Sequence, residues 1–304
     1  MYWGSVRFFK HLILLTVAAM ILAPTGLAVY YGRAYHNLKE YTAHSWLPDK
    51  AELWSGSLVY ASNGLWPSQP AKSANPLPYQ KKYPNLYIEN DFTYETPGSK
   101  TVYLTFDDGP TELTPKVLDT LKEYDIKATF FIVYRDSDTA KALYKRMIAE
   151  GHTLAVHSTT HKYKEIYQSV DTFMDDFATT ANMLEDVTGV KPEIFRFPGG
   201  SINSYNRSVY IPIIAEMTRR GYTYYDWNVG SGDTSKQKSA ADIYNNVVNG
   251  VASHQESIVL MHDLASHEST LAALSQIIKT LRDSGYTFAP LTKTVRPVSF
   301  SYPD

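Results

Sequence analysis

The chain has 304 residues, 44% of them hydrophobic and 20% charged, which is ordinary for a globular protein of one or two domains. A net charge of −2 gives no electrostatic case for nucleic acid as a partner. There is no cysteine, which excludes thiol catalysis, disulfides and Cys-ligated zinc.

Residues 2–11 carry Arg7, Lys10 and His11 and no acid, and twenty uncharged residues follow from Leu12 to Tyr31, enough to cross a bilayer as a helix. Basic residues ahead of the span favour a cytoplasmic N-terminus with the rest of the chain outside. A cleaved signal peptide ending near Gly26-Leu27-Ala28 is the rival. The favoured expectation is an uncleaved anchor over 1–31 and a single-pass protein of the cell membrane whose main body is extracellular. Residues 32–98 read as a Pro-rich extracellular tether. Pro48, Pro67, Pro70, Pro76, Pro78, Pro84 and Pro97 recur too often for long helices or central strands. Trp46, Trp54 and Trp66 keep the stretch from reading as fully disordered.

A regular domain is expected over 99–297. Its predicted strands are Thr101–Phe106, Ala128–Val133, Thr153–Val156, Ile194–Phe197, Tyr222–Asp226, Ser257–Met261 and Tyr286–Ala289, with helical runs between most of them. Thr114-Pro115 reads as an N-cap and first helical residue. Gly151, Gly189, Gly221 and Gly285 each follow a helical run where a left-handed residue would end it. This alternation implies a parallel sheet, open or closed into a barrel. A doubly wound sheet would need a Gly-rich phosphate loop after the first strand, and Asp107-Asp108-Gly109-Pro110 is not one.

The ionisable residues fall at strand ends. Asp107 and Asp108 follow the first strand, His157 and His161 the third; Arg196 and Asp226 sit in the last positions of the fourth and fifth, and His262 follows the sixth. Catalytic groups of β/α barrels gather in this way at the C-terminal mouth. The plain reading of Asp-Gly is an Asx-type turn, but a turn does not explain the matching residues at the other strand ends. Asp108, His157 and His161 offer one carboxylate and two imidazoles to a divalent cation, with the histidines on one helical turn or in a loop. Two His and one carboxylate also suit a non-haem iron oxygenase, which has no use for a second Asp or for His262 opposite. Hydrolysis uses both. Asp107 would take a proton from water, Arg196 would orient it, and His262 would protonate the leaving group with Asp226 as its partner. A backbone N–H near Gly199 would face the oxyanion.

These residues resemble the polysaccharide deacetylases, the NodB-like carbohydrate esterase family. The motifs are Thr105–Gly109, His157-Ser158-Thr159-Thr160-His161, Arg196-Phe197-Pro198-Gly199, Asp226-Trp227 and Leu260-Met261-His262-Asp263, over roughly Lys100 to Leu291. The resemblance implies an α/β fold, a distorted, incomplete barrel of about seven parallel strands. It also implies removal of acetyl groups from a sugar polymer with one divalent ion, zinc foremost, held by Asp108, His157 and His161. Asp107 would be the base, His262 the acid, and Arg196 and Asp226 their tethers. Gly199 would line the substrate groove, with Trp227 and Leu260 as walls. Arg-Phe-Pro-Gly-Gly-Ser looks most like the exported cell-wall enzymes of Gram-positive bacteria, so the expectation is a peptidoglycan N-acetylglucosamine deacetylase. Another acetylated polysaccharide, or a silent sugar-binding module, is the alternative. The expected partners are that polysaccharide and the membrane, with no nucleic acid and no obligate protein partner.

Overall fold

Each of the seven predicted runs of β-formers becomes a strand of one parallel sheet. In the computed structural model, residues 58–61, 64–67, 77–95, 100–235 and 239–300 are described. The strands are β1 (Thr101–Asp107), β2 (Thr129–Val133), β3 (Thr153–Ser158), β4 (Ile194–Phe195), β5 (Thr223–Tyr224), β6 (Val229–Gly230), β7 (Glu256–His262) and β8 (Thr287–Phe288). Their order is β5-β4-β3-β2-β1-β7-β6, with β8 on the first residues of β1. The two-residue strand β6 is the one strand of this sheet not predicted.

The sheet curls into an incomplete barrel, as expected. Its path ends at β5 and β6, which are consecutive in the chain, and Tyr225–Asn228 crosses from one to the other. Asn228 ties this crossing to β7: its Nδ2 donates to the Glu256 carbonyl at 2.8 Å and its Oδ1 accepts from Ile258 N at 2.8 Å. The C-terminal segment fills the gap. Tyr225 donates its hydroxyl to the carbonyls of Thr292 (2.7 Å) and Val295 (2.6 Å), and Asp226 N donates to Val298 O at 2.9 Å.

The barrel interior explains where the site sits. Tyr103, Phe131, Ala155, Ile194, Tyr225, Ile258, Leu291 and Val295 form one buried apolar layer. Side chains of a strand alternate faces, so the residue two positions on points the same way, one level nearer the C-terminal mouth. Along β1, β3 and β7 that step places Thr105, His157 and Leu260 above the layer, and one further step on β1 and β7 reaches Asp107 and His262. The same spacing, past the ends of their short strands, gives Arg196 and Trp227.

Helices cover the outside, several opened by serine caps: Ser137, Ser169 and Ser239 each accept from the N–H three residues on. The first helix of the domain starts at Thr114 itself, with Leu113 as its cap, because the Thr114 hydroxyl is engaged elsewhere. Residues 77–95, expected as tether, lie on the domain. Arg220, fully buried and paired with Glu216 at 2.6 Å, donates to the carbonyls of Tyr79, Lys82, Tyr83 and Leu86 at 2.9–3.2 Å. Gly221 follows at φ +86°, and a Cβ there would come within 1.9 Å of the Ile88 carbonyl. Glycine is therefore required where this segment docks. A two-stranded ribbon joins Leu58–Ala61 to Gly64–Pro67. The expected anchor, 1–31, lies outside the described residues, and among the described residues no helix is long and apolar enough to cross a membrane.

Candidate metal centre and active site

Strand β1 delivers the two aspartates in opposite senses. Asp107 is its last residue, pointing into the barrel and buried, and its Oδ1 accepts from Arg196 Nη1 at 2.8 Å. Arg196 is fully buried and spends its other donors on Thr105 Oγ1 (2.7 Å) and the carbonyls of Tyr225 (2.9 Å) and Asp226 (3.1 Å). Its guanidinium lies 4.1 Å from the centre of the Phe131 ring. A planar fork with so many fixed partners holds the carboxylate in one orientation.

Asp108 breaks from the strand with φ +73°, a left-handed conformation that costs a non-glycine residue about 1 kcal/mol. The turn aims its carboxylate at the two histidines. Its Oδ1 lies 3.6 Å from His157 Nε2 and 3.3 Å from His161 Nε2, and the three ligand atoms fall within 4.8 Å of one another. That oxygen is buried and has no hydrogen-bond partner among the described residues. His157 Nδ1 is 2.8 Å from the Arg196 carbonyl, which can only accept, so Nδ1 carries the proton and Nε2 presents its lone pair to Asp108. Burial, with His157 alongside, pushes the His161 pKa below its usual value and favours the neutral ligand form. The donor set and the orphaned oxygen fit a divalent cation.

The histidines share no helix. His157 is on β3 and His161 ends a turn at φ +55°. Asp176, on the helix Val170–Thr188, holds that turn: it accepts from Ser158 Oγ at 2.6 Å and from the backbone N–H of Thr159 and Thr160 at 2.9 Å. Ser158 Oγ in turn accepts from His161 N at 2.8 Å. Sequence reasoning missed Asp176 because a polar residue on a helix carries no mark of what it faces.

On the opposite side, β7 pairs with β1 so that His262 is the register partner of Asp107. The partner of its imidazole is not Asp226, as the sequence reading expects, but Asp233. Asp233 Oδ1 accepts from His262 Nδ1 at 2.9 Å, and its Oδ2 accepts from His262 N at 2.8 Å and Thr270 Oγ1 at 3.0 Å. Burial alone would lower the His262 pKa, but the Asp233 hydrogen bond and the charges of Asp107, Asp233 and Asp108 outweigh it and raise the pKa. Asp226 cannot serve because β5 ends at Tyr224, and its carboxylate is turned to the 199–201 loop and the C-terminal segment. It accepts from Ser201 N at 2.8 Å, Ser201 Oγ at 2.5 Å and Phe300 N at 2.7 Å, and burial raises its pKa. The chain instead forms β6 and turns at Gly232 before Asp233, so the missed signal lies in Gly230-Ser231-Gly232-Asp233.

The remaining expected residues line the same mouth. Gly199 and Gly200 turn at φ +75° and +86°. Trp227 packs against the barrel core and meets Phe300 edge-on at 4.8 Å, and half-buried Leu260 lies on the same strand face as His262. Asp263 joins the two sides. Its backbone N–H donates to Asp107 O at 2.8 Å, and its buried carboxylate accepts from Thr111 Oγ1 (3.0 Å) and Thr114 Oγ1 (2.5 Å).

Comparison with known proteins matches residues 94–242 to the family described as polysaccharide deacetylase. A putative polysaccharide deacetylase of Bacillus subtilis is 35% identical over 219 residues, 71% of this chain and 75% of that protein. A peptidoglycan-N-acetylglucosamine deacetylase of Bacillus cereus is 34% identical over 62% of this chain and 68% of that protein. Among solved structures, the catalytic domain of a peptidoglycan N-acetylglucosamine deacetylase from Eubacterium rectale superposes with a TM-score of 0.66 at 38% identity. That match covers 70% of this chain and 97% of that one.

Proposed function

The chain belongs to the polysaccharide deacetylase family, and on that footing we propose that it is a metal-dependent hydrolase removing N-acetyl groups from the amino sugars of cell-wall peptidoglycan. The observation that carries the reading is the buried, unpartnered Asp108 Oδ1 set between two imidazole nitrogens, with Asp107–Arg196 beside it and His262–Asp233 opposite. The choice of substrate follows the relatives from Bacillus cereus and Eubacterium rectale, both named for peptidoglycan N-acetylglucosamine.

Asp108, His157 and His161 would hold the ion, zinc first among the divalent metals, and the ion supplies Lewis-acid polarisation of the acetyl carbonyl and acidifies water. Asp107, oriented by Arg196, accepts the proton of the attacking water. His262 keeps Nδ1–H on Asp233, which leaves the proton on Nε2 for the departing amine nitrogen. The Gly199 N–H faces the developing oxyanion. Leu260 and Trp227 form the walls beside the acetyl methyl and the sugar. Residues 1–31 would hold this domain outside the cell membrane, and recovery of a soluble form beginning near Val29 would replace the anchor with a signal peptide.

The test is acetate release by the zinc-supplied protein from peptidoglycan, chito-oligosaccharides and acetylxylan. Release from the N-acetylated substrates, peptidoglycan foremost, is expected. Release from acetylxylan alone would overturn the substrate, and none from any of them, with metal bound, would overturn the enzyme.

A further inference from the structure

One aromatic side chain close to the site is left open to solvent. Among the described residues the exposed large hydrophobics are Tyr87, Val190, Tyr205 and Ile211. Tyr87 lies under the guanidinium groups of Arg219 and Arg220, away from the barrel mouth. Tyr205 is 46% exposed, and a continuous run of ring contacts leads to it from the metal centre. The His161 ring meets Tyr163 at 5.2 Å between centres, and Tyr163 meets Tyr205 at 5.3 Å.

The backbone under Tyr205 is held in place. Asn203 Oδ1 accepts from the N–H of Tyr205 (2.8 Å) and of Asn206 (3.2 Å), while Asn203 Nδ2 donates to the carbonyls of Pro198 (3.2 Å) and Gly200 (3.1 Å). Asn206 Nδ2 donates to Ser201 O at 3.0 Å. On the other side Tyr163 fits against Gly199 so closely that a Cβ there would lie 3.2 Å from its ring. The two tyrosines and the Gly199 turn therefore form one preformed surface bordering the metal site. An exposed aromatic face costs free energy in water, and a rigid one binds a flat apolar partner with little loss of entropy. The C–H face of a pyranose ring is such a partner, and its hydroxyls stay in solvent at the rim.

Resting on the deacetylase reading above, we propose that Tyr205, backed by Tyr163, is a stacking platform for the sugar ring next to the one being deacetylated. It sets the preference for polymeric over single-sugar substrates. It touches glycan and takes no part in proton transfer.

Calorimetry with the N-acetylglucosamine tetramer and monomer tests this, using zinc-supplied protein carrying Asp107→Asn to slow turnover. Adding Tyr205→Ala is expected to weaken tetramer binding about tenfold and monomer binding less than twofold, while Tyr205→Phe, which keeps the ring, binds like its parent. Tetramer affinity unchanged by Tyr205→Ala would overturn the platform, as would an equal loss for monomer and tetramer, or a parent that does not bind the tetramer. The two readings fail separately. Acetate release with no effect of Tyr205 on affinity sinks the platform alone, and Tyr205-dependent binding without acetate release by the wild-type protein sinks the enzyme alone.

Discussion

On one side of the barrel mouth Asp108 faces His157 and His161 with a buried oxygen that makes no hydrogen bond among the described residues. On the other, Asp233 spends both its oxygens on His262 and Thr270. Both sides are built from aspartate and histidine at the C-terminal edge of the same sheet, yet their hydrogen bonds differ. A buried acceptor left unpaired costs about 1–3 kcal/mol, and more when it is charged. The first side is the one that a cation between its three ligand atoms would complete. The second is complete as it stands, and its carboxylate serves to raise an imidazole's pKa. The difference separates a candidate metal centre from a proposed proton donor without reference to any relative.

The sharpest way to divide the two sides is at Asp107, which adjoins Asp108 in the chain but pairs with Arg196. Asp107→Asn keeps the size and much of the hydrogen bonding and removes the proposed base. Acetate release should fall by about 10²–10⁴-fold with the metal retained. Loss of metal in that variant would make Asp107 a ligand and merge it with the first side.

Asp233→Asn tests the second side. Acetate release should fall on the order of tenfold to a hundredfold. The alkaline limb of kcat/KM, where His262 loses its proton, should move to lower pH, because the anion that favours the imidazolium is gone. In the parent the Asp233 hydrogen bond raises the His262 pKa, and its loss is what moves the limb. A limb that stays in place in Asp233→Asn would mean that another group is the acid.

Asp176 supports the first side without touching the ligand atoms. Asp176→Ala frees the turn between the histidines and should weaken metal affinity by about 10–100-fold, measured by competition with a chelating dye. Acetate release at saturating metal should stay close to that of the parent. An unchanged affinity would show that the turn holds its shape without Asp176.

The smallest effect concerns the joint between the sides. Burial pushes the Asp263 carboxyl up to about 6, whereas an unfolded aspartate titrates near about 3.9. The folded chain therefore binds a proton that the unfolded chain has already lost. This contribution is fully present below about pH 4 and is lost as pH rises through about 6. Between about pH 7.5 and pH 5 the parent should gain about 1 kcal/mol from this group, read from urea midpoints, and Asp263→Asn should not show that gain. An identical pH dependence in both would place the titration elsewhere.

Most of the mouth was legible because period-two alternation carries an apolar core residue and a functional one on the same strand face. Ala155 and His157 are such a pair on β3, and Ile258, Leu260 and His262 continue it on β7. Strand interiors match the expectation, while their ends moved both ways: Thr153–Val156 lengthens to Thr153–Ser158, and Tyr222–Asp226 shortens to Thr223–Tyr224 where its neighbours end. The partner of His262 was misread for that reason. Asp226-Trp227 reads in sequence as the end of a strand, but two residues of β6 and a turn intervene before the carboxylate that reaches the imidazole. Asp176 and Asp263 were not legible as site residues, since their roles depend on which neighbour a helix face or strand end meets.

Metal counting on purified variants tests the central claim most directly. Elemental analysis after zinc loading should find one ion per chain in the wild-type protein and in His262→Ala. Asp108→Ala, left with two imidazoles, should lose most of its metal, because open catalytic sites usually keep three protein ligands. Full occupancy in Asp108→Ala, or an empty site in His262→Ala, would contradict the division between the two sides.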